Sequence, residues 1–322
     1  MPKKLFPILI ATIISILTTI ACGSSTPQPT LDPNAELIAF SSTRKGNNLE
    51  IYVMDTSGKG ITRLTDEKTT DGSPNWSPDG TKIVFHSKRS DHFKLYIMNA
   101  DGSNLIQLTQ GSWDDKDPNW SPNGEWIAFH SDRDGVVDIF MIHPDGSGLE
   151  KIETGISPIN SNGYFNSYSP NWSPDGSQIV FYSDYDGDLD IYKVDLGVAD
   201  IIEGDIFDYA GANLIQLTNT PGDDMSPAFS PDGGKIAFHS ERSGHYEIYS
   251  MDVDGSNQNQ LTNNADGQSV RPTWSPDGLM LAFAIIKLDN KSSAIYTINR
   301  DSTGLTKITD GSALDAAPAW QP

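Results

Sequence analysis

The stretch Pro74–Ser87 reads PNWSPDGTKIVFHS, and Pro118–Ser131, 44 residues later, reads PNWSPNGEWIAFHS. Repetition at a fixed period constrains a fold strongly, because a repeated unit must bury its faces against copies of itself. The aromatic residue before Ser-Pro recurs at Trp76, Trp120, Trp172, Phe229 and Trp274, and Trp320 precedes a final Gln-Pro. The intervals are 44, 52, 57, 45 and 46 residues. An apolar triplet keeps step with it at Ile38–Phe40, Ile83–Phe85, Ile127–Phe129, Ile179–Phe181, Ile236–Phe238 and Leu281–Phe283. A segment with an aromatic follows at Tyr52, Tyr96, Phe140, Tyr192, Tyr249 and Tyr296, and then a Leu-Thr-like ending at Leu64, Leu108, Ile152, Leu217, Leu261 and Ile308.

Each repeat thus holds four short strands. Ser-Pro-Asp-Gly joins the first two: Pro presets φ, Asp supports the turn through its side chain, and Gly accepts positive φ. Ala-Asp-Gly-Ser at Ala100–Ser103 and Pro-Asp-Gly-Ser-Gly at Pro144–Gly148 join the third and fourth. Four antiparallel strands at about 45 residues per repeat suit a propeller blade. The first repeat begins at its second strand, near Leu37, and the missing first strand stands at the other end of the chain, Ala316–Pro322. The sequence therefore predicts an all-β, six-bladed β-propeller of four-stranded antiparallel blades, residues 36–322, closed by the C-terminal strand joining the first blade.

Trp76–Thr109, WSPDGTKIVFHSKRSDHFKLYIMNADGSNLIQLT, resembles the repeat of the TolB β-propeller family, and the likeness recurs six times from about Glu36 onward. The resemblance implies the propeller fold and a periplasmic or cell-surface setting. TolB also carries an N-terminal α/β domain, for which only a short segment stands here, so membership of the Tol–Pal system is not implied.

The N-terminus has Lys3 and Lys4 and then an uncharged run from Leu5 to Ile20, short for a membrane span and suited to a secretory signal. Thr19-Ile20-Ala21-Cys22 resembles the bacterial lipobox, with Thr19 where leucine is more usual, and Cys22 is the single cysteine of the chain. The reading is a lipoprotein signal peptide at 1–21 and a lipidated Cys22 heading a polar tether at 22–35. Formal charge is −21, and −23 without the two signal lysines. Such a surface repels phosphate backbones, so nucleic acid is not an expected partner. The expected state is a monomer, held to the membrane through lipid at Cys22.

Function in a rigid scaffold concentrates on its loops. The Ser-Pro-Asp-Gly turns share one face, the bottom, so the variable connections share the top, where an envelope protein or small ligand is expected to dock. His86, His130 and His239 occupy one slot after the apolar triplet; Ser41, Tyr182 and Ala284 fill it elsewhere. These side chains approach the channel, either as a ligand site or as hydrogen-bonded packing between blades. With them we group Trp113 and the insertion Gly155–Tyr168, which offers Tyr164, Phe165 and Tyr168. A second insertion, Leu196–Asn213, enlarges a bottom hairpin. Asp184, Asp186, Asp188 and Asp190 alternate in a way that can wrap calcium or can cap turns; no other cofactor is expected. Arg44, Arg89, Arg133 and Arg242 recur in one loop slot, as ties between neighbouring acidic loops.

The chain has no Gly-x-Ser-x-Gly elbow, no His-Glu-x-x-His and no glycine-rich phosphate loop. A non-catalytic binding scaffold of the cell envelope is the primary expectation. The alternative is a propeller hydrolase or lyase acting on carbohydrate or peptide through the channel histidines.

Overall fold

The computed structural model describes residues 36–154, 159–160, 163–196, 213–289 and 291–322. The signal, Cys22 and tether, and nearly all of the second insertion, lie outside the described residues. Six four-stranded antiparallel sheets stand around one axis, each with its Pro-containing strand innermost. In the second blade these are Asp71–Trp76, Lys82–Ser87, Lys94–Asn99 and a two-residue outer strand, Ile106–Gln107. The innermost strands of the others are Asp115–Trp120, Ser167–Trp172, Asp224–Phe229, Gly267–Trp274 and, for the first blade, Asp315–Trp320. This is the six-bladed ring the repeats predict. A small hairpin, Ile159–Asn160 with Gly163–Tyr164, is added within the Gly155–Tyr168 insertion.

The core is divided into wedges, one between each pair of neighbouring blades. Side chains alternate across a strand, so Ile83 and Phe85 face the preceding blade, packing on Ala39, Ile51 and Val53. Val84, between them, faces the following one, with Trp120 and Phe129. The apolar triplet is therefore the minimum that seals both faces of a blade. The outer strands face solvent and stop after two or three residues, which limits the unpaired edge each blade presents.

The Leu-Thr ending has a definite task. Thr65, Thr109, Thr218, Thr262 and Thr309 each accept a backbone N–H from the start of the third strand in their own blade, that of Ile51, Leu95, Ile191, Ile248 and Ile295, at 2.8–3.0 Å. That bond holds the outer strand's exit against the blade.

Closure follows the predicted route: Asp315–Trp320 pairs antiparallel with Leu37–Ser42, Ile38 opposite Trp320 and Ser42 opposite Asp315. The Trp76 indole donates to the Ala319 carbonyl (3.1 Å), tying the closing strand to the second blade as well. The four arginines correct the sequence expectation. Each holds the aspartate that opens the innermost strand of its own blade, instead of a neighbouring loop. Arg44–Asp315 is 2.8 Å, Arg89–Asp71 2.8 Å, Arg133–Asp115 2.6 Å and Arg242–Asp224 2.8 Å, with every aspartate fully buried. Each guanidinium also lies over the aromatic pair of its blade, as Arg89 does over Phe85 and Tyr96.

In the first blade this latch joins residues 271 apart in sequence. Asp315→Ala leaves Arg44 without its buried partner and is expected to cost about 3–5 kcal/mol, the usual penalty for breaking one side of a buried pair. Denaturant unfolding measures it; a loss below about 1 kcal/mol would mean that strand pairing alone closes the ring.

Candidate functional site at the top of the channel

Each innermost strand carries a bulge at its proline. The register slips between Gly72 and Asn75, for example, and equivalent slips occur in the other blades resolved by pairing. The residue before proline takes a left-handed backbone in all six blades: Ser73, Asp117, Ser169, Ser226, Arg271 and Ala317, with φ between 47° and 56°. Proline disfavours the right-handed helical region for its predecessor and cannot donate to the ladder. The left-handed bulge lets the strand pass its proline while aiming the preceding side chain into the channel. The six x-Pro-x triplets line a cavity of about 120 Å³ on the axis.

The slot histidines fasten these bulges. His86 Nδ1 accepts the N–H of Asp117 in the next blade (3.3 Å), His130 that of Ser169 (3.4 Å) and His239 that of Arg271 (3.4 Å). An Nδ1 that accepts is unprotonated. Burial pushes the His86 pKa down to about 4 and that of His239 to about 3, and lowers that of His130. These rings are therefore neutral at pH 7, committed to holding one blade's bulge against the next. Gly72 makes room for one of them: a Cβ there would stand 2.6 Å from His86 Nε2. Tyr182 fills the slot in the fourth blade, stacked on Tyr168 (5.2 Å), whose ring meets His130 edge-on (5.4 Å).

The channel charges sit on the bulges themselves, and the sequence reading missed them. Asp117 Oδ1 accepts the Ser73 hydroxyl (2.6 Å) and Oδ2 the Ser169 hydroxyl (2.7 Å). Arg271 Nη1 reaches Ser73 Oγ at 3.1 Å and Asp117 Oδ1 at 3.4 Å. Although its burial opposes ionisation, Arg271, His130, His86 and the Ser73 bond hold the Asp117 carboxyl well below the usual range. The available signal was variation: within a repeated strand, the position before proline reads Ser, Asp, Ser, Ser, Arg, Ala.

Other expected site residues are dispersed. Trp113 is wedged between blades, with Lys94 Nζ and the Arg133 guanidinium 5.2 and 5.4 Å from its ring. A Cβ on Gly111 would meet that ring at 2.3 Å. Phe165 is buried against Tyr185 (5.1 Å) in place of facing the channel, and the Tyr164 side chain lies outside the described residues. Asp184 accepts the backbone N–H (2.6 Å) and side-chain amide (3.1 Å) of Asn166. Asp190 accepts Thr218 Oγ1 (2.9 Å) and Gln216 Nε2 (3.1 Å), while Asp186 and Asp188 are exposed. Among the described residues no three His, Cys, Asp or Glu side chains gather to hold a metal ion.

A closed ring of six blades whose bulged, proline-bearing strands wall a polar axial channel defines a β-propeller of the six-bladed class. The chain belongs to the TolB β-propeller domain family, whose model matches residues 19–93 and 148–268. It is 31% identical over 178 residues to an uncharacterised protein of Agrobacterium fabrum, covering 52% of this chain and 56% of that one. It is 30% identical over 147 residues to a TolB homologue of Chlorobium luteolum, covering 46% of this chain and 30% of that one. The chain thus spans little more than half the length of the first of these relatives, and less of the second. The crystal structure of TolB from Acinetobacter baumannii superposes with a TM-score of 0.71 at 21% identity, covering 89% of this chain and 67% of that one.

Two pH effects of opposite sign follow. Unfolded histidines titrate near 6.5, so the unfolded chain takes up protons first. Stability from the channel histidines is full above about pH 6.5 and is lost as pH falls towards 4. Thermal melts across that window should fall less steeply for His86→Gln/His130→Gln/His239→Gln than for wild type; parallel curves would contradict the assignment. Asp190 behaves the other way. Its burial, with Asp224 and Asp188 nearby, pushes its pKa up to about 6. The stability linked to its retained proton is full below the unfolded value near 3.9 and is lost as pH rises through about 6. Asp190→Asn is therefore expected to raise the melting temperature at about pH 7 and leave it nearly unchanged at about pH 4. Equal shifts at both would show that charge is not the cause.

Proposed function

We propose that this protein is a lipid-anchored, extracytoplasmic β-propeller that acts as a non-catalytic binding scaffold at the cell envelope, with the top of its channel as the working surface. The observation that carries the reading is the commitment of the channel histidines. The three rings that a hydrolase or lyase would use as general base instead accept backbone amides from neighbouring blades, and their depressed pKa values make them poor bases near neutral pH. Family membership supports the same reading, since the TolB resemblance implies a periplasmic or cell-surface setting. Anchoring rests on the lipobox-like Thr19–Cys22 and the single cysteine.

The expected partner is an envelope protein or small ligand that meets the top face, where Tyr168 and Tyr182 stack beside His130 and to which the Gly155–Tyr168 insertion is expected to contribute. Fractionating cells that express the full chain tests the anchor. The wild type is expected in the membrane fraction and to incorporate labelled fatty acid; Cys22→Ser is expected to lose both. A wild-type protein that is soluble and unlabelled would end the anchoring proposal. Affinity capture from envelopes, with the intact chain and with residues 155–164 replaced by a short Gly-Ser link, tests the docking face. Undiminished recovery of the same partners would remove the insertion from it.

A further inference from the structure

Among the described residues the channel holds one cation, Arg271, whose hydrogen-bonding capacity is mostly unused. Arg271 is about two-fifths exposed, to the channel, and its side chain spends only Nη1, on Ser73 and Asp117. Nε and Nη2, the edge that matches a carboxylate with two parallel bonds, have no hydrogen-bond partner among the described residues. The Asp117 contact is single and long, and that carboxylate is already held by two serine hydroxyls at 2.6 and 2.7 Å. Asp117 therefore balances the charge of Arg271 without occupying its donor edge.

The surroundings complete a small anion site. Ser226, at the ring position before Arg271, has a hydroxyl with no partner among the described residues, and the position after it is Ala317. The Tyr182 phenol lies near enough to interact electrostatically with both Arg271 and Asp117. Burial foremost holds its pKa up at about 12, so it keeps its proton, which it directs to Ser169, whose own hydroxyl donates to Asp117. The ring against the Arg271 bulge is His239 of the preceding blade, bonded to its backbone N–H, while the slot of its own blade holds the small Ala284. Further out, the strongly acidic surface, −21 overall, disfavours polyanions, so the site selects a single small anionic group.

We propose that the top of the channel binds a carboxylate group, gripped by the Nε/Nη2 edge of Arg271 with Ser226 as a further donor. This deepens the scaffold reading and rests on it, by naming the chemical group recognised. The carboxylate belongs either to a small organic acid or to the C-terminus of a peptide that enters the channel.

NMR titration of the folded protein with acetate, acetamide, N-acetyl-Gly-Gly and its C-terminal amide tests the proposal. Acetate and the free-acid peptide are expected to shift the amides of Ser226, Arg271 and Thr273, and the two neutral amides to leave them still. A free-acid peptide binding about tenfold tighter than acetate assigns the site to peptide termini; equal affinities assign it to small acids. Arg271→Gln is expected to weaken carboxylate binding at least about tenfold. Asp117→Asn, which removes the competing anion, should tighten it severalfold. Should Asp117→Asn fail to fold, Ser226→Ala serves instead, with a loss of about threefold or more. Equal shifts with acetate and acetamide, or unchanged affinity in Arg271→Gln, overturn the proposal. If partners are still captured from envelopes while no carboxylate binds, the scaffold reading stands and this inference falls.

Discussion

The left-handed residue before each channel proline is the constraint on which the rest of the structure depends. Six strands must converge on an axis, and a proline in each removes one donor from the ladder at the most crowded place. The bulge resolves this by turning the preceding N–H away from its own sheet. In three blades the freed donor is taken by a histidine of the blade before, so a local defect becomes a bond between neighbours. The same turn points that residue's side chain inward, which is why the channel's chemistry rests on a single position per blade.

A second set of contacts varies while keeping its purpose. Asn75, Asn119 and Asn171 accept the backbone N–H of the aromatic residue in the following blade. Where alanine replaces asparagine, at Ala228 and Ala319, the backbone carbonyl instead accepts the indole N–H of the next tryptophan. Adjacent innermost strands are thus tied in either case, by a side-chain acceptor or by a side-chain donor. The fourth blade departs more sharply. Tyr185 stands where four other blades place the latch arginine, and its innermost strand opens with Ser167 in place of aspartate, so guanidinium and carboxylate are lost together, as they are in the sixth blade with Lys287 and Ser269. The next blade's Asp224 keeps its arginine, and Asp190 is left facing it with hydroxyl and amide partners only.

The fold was legible because its determinants are local and repeated. The Ser-Pro-Asp-Gly turn, the two-sided triplet and the displaced last strand each announce themselves in a few adjacent residues. The site was less legible because its members come from different repeats. Asp117 and Arg271 are 154 residues apart and meet only across the axis. The histidines were visible, but their partners are backbone amides, which carry no sequence signature. Trp113 and Phe165 looked like contact residues by type, and each is packed on its own surroundings: Trp113 against Lys94 and Arg133, Phe165 against Tyr185. Asp184 and Asp190 were noticed for their charge, and are occupied in backbone and hydroxyl contacts.

The first described residue, Glu36, enters the ring at the bottom end of the Leu37–Ser42 strand, on the side of the Ser-Pro-Asp-Gly turns, and the closing strand ends beside it, with the Gln321 N–H bonded to the Leu37 carbonyl. Both ends of the propeller therefore leave from the face opposite Arg271. With lipid at Cys22 as proposed, the fourteen-residue leash reaches at most about 45–50 Å and attaches to the underside. An anchor there leaves the open rim free to face away from the bilayer. Ligands would arrive from the aqueous side, and a partner embedded in the same membrane would have to rise to the rim to be met.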